Sequence, residues 1–179
     1  MKGSTPMSLI YIRQAQLQDL SKIMLIIAQA KTFLKNSGSS QWQAEYPNET
    51  TIQNDIAEKV GYVLMVDKKI AGYSAVIAGV EPTYRDIEGN WHNEVDEYAT
   101  IHRMAISNEF RGMRLANYFF SNIISVLFAQ GVTNFRIDTS RKNKIMQHLA
   151  ESHGFVQRGI IQVDEDPEDP SRIAYELNL

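Results

Sequence analysis

Tyr98-Ala-Thr-Ile-His-Arg-Met-Ala-Ile-Ser-Asn-Glu-Phe-Arg-Gly-Met-Arg-Leu-Ala-Asn-Tyr-Phe-Phe120, running on to Gln130, is the stretch around which the chain is organised. Tyr98 to Ile106 is rich in β-branched and aromatic residues and alternates in places, which predicts a strand. Ser107 to Gly112 is a polar turn with a glycine. From Leu115, the apolar residues Leu115, Phe119, Ile123, Val126 and Leu127 follow helical spacing and form one face. The unit is a strand, a short basic turn and a helix. A helix that opens directly after such a turn points unpaired N–H groups outward, with the positive end of its dipole. That makes an anion site suited to a diphosphate, and Arg111 and Arg114 add formal positive charge there. The same spacing also fits an ordinary strand-to-helix connection with two solvated arginines.

The remainder of the chain sets bounds on this unit. At 179 residues it suits one domain with a real core. Hydrophobic residues make up 44% and charged residues 22%, as in ordinary soluble globular proteins. The net charge of -3 argues against a nucleic-acid partner, whose binding proteins carry basic surfaces. Cysteine is absent, which removes disulfides and thiolate metal sites and is compatible with a cytoplasmic setting. No apolar run has the length of a membrane span, and no signal peptide is recognisable. The expectation is a single domain over residues 7–179, with the polar Met1 to Pro6 disordered or appended ahead of a natural start at Met7.

Leu9 to Arg13 reads as a first strand, and Leu20, Ile23, Met24, Ile27, Ala30 and Leu34 as a helix. Gly38 is placed to end that helix in a left-handed conformation. Thr50 and Thr51 are candidate caps for a second helix through Ile52, Ile56 and Val60. Tyr62 to Val66 and Ile70 to Val80 form a hairpin across Asp67-Lys-Lys69. Glu81 to Glu97 is a long polar insertion, a kind of connection that often carries function. Beyond Gly131, Phe135 to Thr139 is a short strand. Asn143 to His153 is a helix with Ile145, Met146 and Leu149 inward, and Gly154 ends it. Phe155 to Val163 and Arg172 to Leu177 are two strands around an acidic loop. Periodicity alone thus supports an α/β or α+β domain.

Arg111-Gly-Met-Arg-Leu-Ala116 resembles the signature Gln/Arg-x-x-Gly-x-Gly/Ala of the GCN5-related N-acetyltransferases, the GNAT superfamily. Arg111 and Ala116 match its first and last positions, and Arg114 stands where the central glycine would be. Asn143, followed by a helix ending at Gly154-Phe155, is similar to the family's Asn…Gly-Phe segment. The element order also matches, from about Leu9 to Leu177. The resemblance implies a mixed, mostly antiparallel sheet of about seven strands with helices on both faces. Its fourth and fifth strands, Tyr98 to Ile106 and Phe135 to Thr139, would splay apart.

The resemblance further implies acetyl-CoA as co-substrate, no metal, and transfer of an acetyl group to a primary amine of a small molecule or peptide by direct attack. Met104, Ala105 and Ile106 would offer backbone groups to the pantetheine arm. Arg111, Gly112, Met113, Arg114, Leu115 and Ala116 would cradle the pyrophosphate. Asn143 would hydrogen-bond the pantetheine or thioester end, or simply cap its helix. The helical position where many members carry a tyrosine acid is Ala150 here, and Tyr175 is a distant substitute. For the base, alternation puts Thr100, His102 and Met104 on one face, and histidine as a residue type titrates near neutrality. His102 could equally be a core histidine; Glu97 at the strand entry and Glu81 are the other candidates.

Trp42 would either lid the core or line an acceptor pocket between the first two helices; Glu81, Tyr84 and Trp91 are further candidates for acceptor contact. The segments expected to border the acceptor are rich in acids, whereas Arg111, Arg114, Arg141, Lys142 and Lys144 fall near the CoA end. That polarity favours a cationic acceptor, although acidic loops can also be merely solvated. A GNAT-like module that holds CoA or another ligand without turnover is the alternative, kept open by Ala150 and Arg114. Neither nucleic acid nor membrane is expected as partner, and the state is monomer or homodimer.

Overall fold

Residues 8–179 are described by a computed structural model; Met1–Pro6, expected as disordered or appended, lie outside the described residues. The first half supplies β1 (Ile10–Gln14), α1 (Leu20–Asn36), α2 (Glu49–Ala57), β2 (Gly61–Val66) and β3 (Lys69–Ala78). Then come β4 (Glu88–Gly89), β5 (Ala99–Ile106), α3 (Leu115–Phe128) and β6 (Asn134–Ser140). The chain closes with α4 (Lys144–Ser152), β7 (Val156–Gln162) and β8 (Ser171–Asn178). The strands make one sheet in the order β1-β2-β3-β5-β6-β8-β7-β4. Its strand pairs are antiparallel except β5 and β6, which run parallel. The sheet therefore has eight strands where about seven are expected. The addition is β4, a two-residue strand that carries no sequence periodicity.

Alternation along the strands divides the core between the two faces. Leu64 and Val66 of β2 pack with Leu115, Phe119 and Ile123 of α3. Their neighbours Val63 and Met65 pack with Ile23, Ile26 and Ile27 of α1 and Ile52 of α2. Each face thus receives one pair of helices, as the apolar stripe of each helix requires. Gly38 ends α1 at φ 79, as expected. Helix α2 is capped one turn earlier than expected: Asn48 accepts from the Thr51 N–H at 2.9 Å, and the Thr51 hydroxyl answers the Asn48 backbone. Thr50 and Thr51 are thus inside the first turn and not the cap. Ile145, expected inward, is exposed because α4 docks on one narrow face through Leu149 and Ala150.

The insertion Glu81 to Glu97 lies against the sheet beside α1 and α2, where Tyr84, Trp91 and Tyr98 pack with Ile161, Val163 and Ala174. Glu176 of β8, fully buried, anchors it by accepting the His92 N–H at 2.7 Å. The same carboxylate pairs with Arg136 and Arg158. The Arg136 guanidinium sits 4.0 Å over Trp91 and 3.9 Å over Tyr98, a desolvated cation between two rings. Buried charge is tolerable here because each ion meets partners on several sides.

Candidate active site

Strands β5 and β6 pair only through Ala99–Phe135 and Thr100–Arg136, and then part. Beyond Thr100 the edge of β5 has no strand beside it, so an opening of about 660 Å³ passes between the two strands. This is the splay that the resemblance implies. Met104, Ala105, Ile106, Arg111, Gly112 and Arg114 line it, as do Leu115, Ala116 and Asn143. Met113, between two of these residues, turns outward and is not part of the lining.

The end of the opening towards α3 is suited to an anion. Arg114 makes no side-chain cap, so the first N–H groups of α3 have no side-chain acceptor. Its φ of 54 is the left-handed conformation for which the family motif reserves glycine. The turn has therefore kept its shape with a side chain in place, and it adds a cation where the dipole is already positive. Arg111 is steadied by donation from Nε to Asn108 Oδ1 at 3.0 Å. Asn143 caps α4 by accepting from the Met146 N–H at 3.2 Å, while its side-chain NH2 has no partner among the described residues. A phosphate-bearing thioester with an amide-rich arm fits this set: helix N–H groups and arginines at one end, and unpaired strand edge along the opening.

Halfway along β5 the alternation breaks. His102 pairs with Ala75 and Ala105 with Tyr73, so β5 carries one residue more than β3 across that interval. Arg103 is the extra residue, at φ 55, and the Ser74 hydroxyl donates to the His102 carbonyl beside it at 2.9 Å. The bulge overturns the expectation that Met104 shares a face with His102. Met104 packs with the α3 cluster and Ala105 with the α1 cluster. His102 remains on the opposite side, facing the insertion.

There, His102 Nε2 lies 3.5 Å from Glu81 Oε2. The neighbouring imidazole, followed by the Thr83 hydroxyl and N–H that donate to it, holds the Glu81 carboxyl down at about 2 against its partial burial. Nε2 is buried and has no hydrogen-bond partner among the described residues; the Glu81 carboxylate stands beside it at ion-pair distance. Two more carboxyl groups line the same region, Asp138 of β6 and Glu165 of the β7–β8 loop. Burial raises both; the charge of Glu81 adds to the rise of Asp138, and that of Asp138 to the rise of Glu165. The Tyr84 hydroxyl donates to Asp138 Oδ1 at 2.8 Å and moderates that rise.

Arg103 closes the wall on the α1–α2 side. Its Nε and Nη2 donate to Asp55 at 3.0 and 2.7 Å, and Nη1 meets the Tyr46 hydroxyl. The Tyr73 hydroxyl donates to the same Asp55 at 2.7 Å. Trp42, with φ 66, packs against the α1 cluster and also lines the opening, which joins its two expected positions.

Four sequence candidates lie elsewhere. Tyr84 and Trp91 are buried under the insertion; Tyr84 reaches the opening only through its bond to Asp138. Glu97 is exposed on the strand entry and does not line the opening. Tyr175 sits in the core on α4's side of the sheet, donating to Glu151 at 3.3 Å, with its hydroxyl raised to about 12 by burial. The residues that sequence reasoning passed over are Asp138 and Arg103; Glu165 comes from an acidic loop expected to border the acceptor. Asp138 had a usable signal: Arg136, Asp138 and Ser140 alternate on a strand too short and too central to face solvent.

Among the described residues, no helix is long and apolar enough to cross a membrane, and no group of three or more acidic, histidine or cysteine side chains could hold a metal ion. The acetyltransferase (GNAT) family model matches residues 27–155. A GNAT-family acetyltransferase from Streptococcus agalactiae 2603 is 37% identical, with 95% of each chain covered and a TM-score of 0.85. A structure described as a putative acetyltransferase from Staphylococcus aureus Mu50 is 29% identical over 93% of this chain and 97% of its own, with a TM-score of 0.70. AAC(6')-Ib, solved with ribostamycin and coenzyme A, shares the fold at 18% identity and a TM-score of 0.62, covering 94% of this chain and 93% of its own. No curated protein matches the chain in sequence.

Proposed function

Because the chain belongs to the acetyltransferase (GNAT) family, we propose that it moves an acetyl group from acetyl-CoA to a primary amine, with His102 as the base. The observation that carries this reading is the pairing of His102 with Glu81 in the same opening as the basic turn at the start of α3. Bound acetyl-CoA supplies the activated acyl group. The helix N-terminus, Arg111 and Arg114 hold its diphosphate, and the free edge of β5 holds its arm.

An amine arrives protonated at neutral pH and attacks only when neutral. In this reading the Glu81 carboxylate, 3.5 Å from Nε2, orients the ring and leaves Nδ1 for the incoming ammonium. His102 takes the proton at Nδ1. One N–C bond then forms and one C–S bond breaks; of the two protons the nitrogen gives up, one ends on sulfur and one in solvent. Ala150, fully buried where many relatives carry a tyrosine, can hold no proton, and Tyr175 is turned to Glu151.

Glu81, Asp138 and Glu165 make the acceptor end negative, opposite the arginines of the CoA end. A cationic amine is drawn to the first and phosphates to the second. The test is acetyl-CoA with a panel of amines, following thiol release and the mass of each amine. Transfer supports the enzyme reading. CoA binding without transfer to any amine would leave a ligand-holding module, which the Ala150 and Arg114 departures favour.

A further inference from the structure

A closed circuit of bonds runs around the acceptor half of the opening. Arg103 of β5 meets Tyr46 of the α1–α2 connection. Further back in that connection, the Ser40 hydroxyl donates to Asp166 Oδ2 in the β7–β8 loop at 3.0 Å. Asp166 is held by Arg172 Nη2 at 2.7 Å, and both side chains are almost wholly buried. Arg172 lies on β8, opposite Ser140 of β6, and β6 returns to β5 at Thr100. A second tie runs alongside, from Lys142 Nζ to the Gly38 carbonyl at 3.0 Å. Gln41, Trp42, Val163 and Glu165 line the opening from the two loops that Ser40 and Asp166 join.

We infer that the acceptor is a small free amine enclosed by this circuit, and that the Ser40–Asp166 clasp excludes polypeptide chains. The inference rests on the acetyl-transfer reading above. A chain that presents an internal lysine needs a groove open along its length, and here the two banks of such a groove are bonded to each other. A chain that presents its N-terminus must thread the circuit. The whole opening is about 660 Å³, and the acceptor must share it with the arm and thioester of the cofactor, which leaves room for one small ligand. The clasp does not give way cheaply: opening it exposes Asp166, whose other partner is a buried arginine.

The experiment uses matched acceptors with the same reacting amine. One pair is Nα-acetyl-lysine methylamide against a blocked heptapeptide with a central lysine; the other is alanine amide against a heptapeptide amide that begins with alanine. The small member should exceed its peptide in kcat/KM by at least about tenfold in both pairs. Ser40→Glu, which sets a like charge against Asp166, should narrow that ratio by about threefold or more, and Ser40→Ala less. Asp166 is left in place because its loss would strand Arg172. Calorimetry on the CoA-loaded protein should show heat with the small acceptors and none with the peptides. Equal kcat/KM within a pair overturns the inference, and so does an unchanged ratio in a folded Ser40→Glu protein. Failure of every acceptor, small and large, overturns the transfer reading and this inference with it.

Discussion

His102 Nε2 and Glu81 Oε2 lie 3.5 Å apart, one on β5 and the other at the start of the insertion that follows β3. Twenty residues of chain separate them, and Nε2 is buried beside this carboxylate without a hydrogen bond to any described residue. In the proposed mechanism the carboxylate favours the proton on Nε2 and leaves Nδ1 to take another. His102→Ala should lower kcat/KM by about 10²–10⁴. Glu81→Gln, which can still accept from Nε2–H but carries no charge, should fall between that variant and wild type. Glu97→Gln should match wild type within about threefold. An unchanged rate in His102→Ala would end the assignment.

The same pair sets a stability window. Glu81 has its folded carboxyl lowered from 4.5 to about 2. Its contribution is therefore fully present above about pH 4.5 and lost as pH falls towards 2. Across that interval wild-type Tm should drop more steeply than that of Glu81→Gln, and the two should run parallel above it. Parallel curves throughout would mean that the pair adds nothing to the fold.

Arg111 and Arg114 divide the anion site between a steadied cation and a strained one. Arg111→Glu should weaken CoA binding by at least about tenfold, the scale of a charge-assisted contact worth roughly 1.5–3 kcal/mol. Arg114→Gly should relieve a left-handed backbone and leave Tm equal or higher, while CoA affinity falls several-fold. Calorimetry with CoA and a thermal melt separate the two effects; affinity unchanged in both variants would move the diphosphate elsewhere.

The charge of the acceptor end can be read by salt. Glu81, Asp138 and Glu165 should favour diamines and lysine-like amines over anionic amino acids, and the kcat/KM for a cationic acceptor should fall as ionic strength rises. Assays at low and high salt decide it. An anionic acceptor preferred at low salt would contradict the lining.

The helices and most strands were legible because their signals are local. Leu115 opens α3 where its spacing begins, Gly38 ends α1, and Asn143 caps α4. A repeat of 3.6 or of 2 residues is written in the chain itself, and so is a glycine with positive φ. The turn proposed for the diphosphate was visible for the same reason: a strand, a basic loop and a helix start are contiguous. What was not legible depended on one residue or on distant partners. The extra residue Arg103 flips every β5 side chain beyond it, and no local pattern announces a bulge. Tyr84 and Trp91 are aromatic in a polar loop, a composition that suits a ligand pocket as well as it suits the buried patch they form under Glu176. Asp138 of β6 and Glu165 of the β7–β8 loop share the opening with His102 only because β5 and β6 part. Periodicity and contiguity thus carried the fold and the basic strand-turn-helix unit. The acceptor end, with its paired histidine, its carboxylates and its bonded loops, arose from contacts between segments far apart in the chain, whose energies no single segment contains.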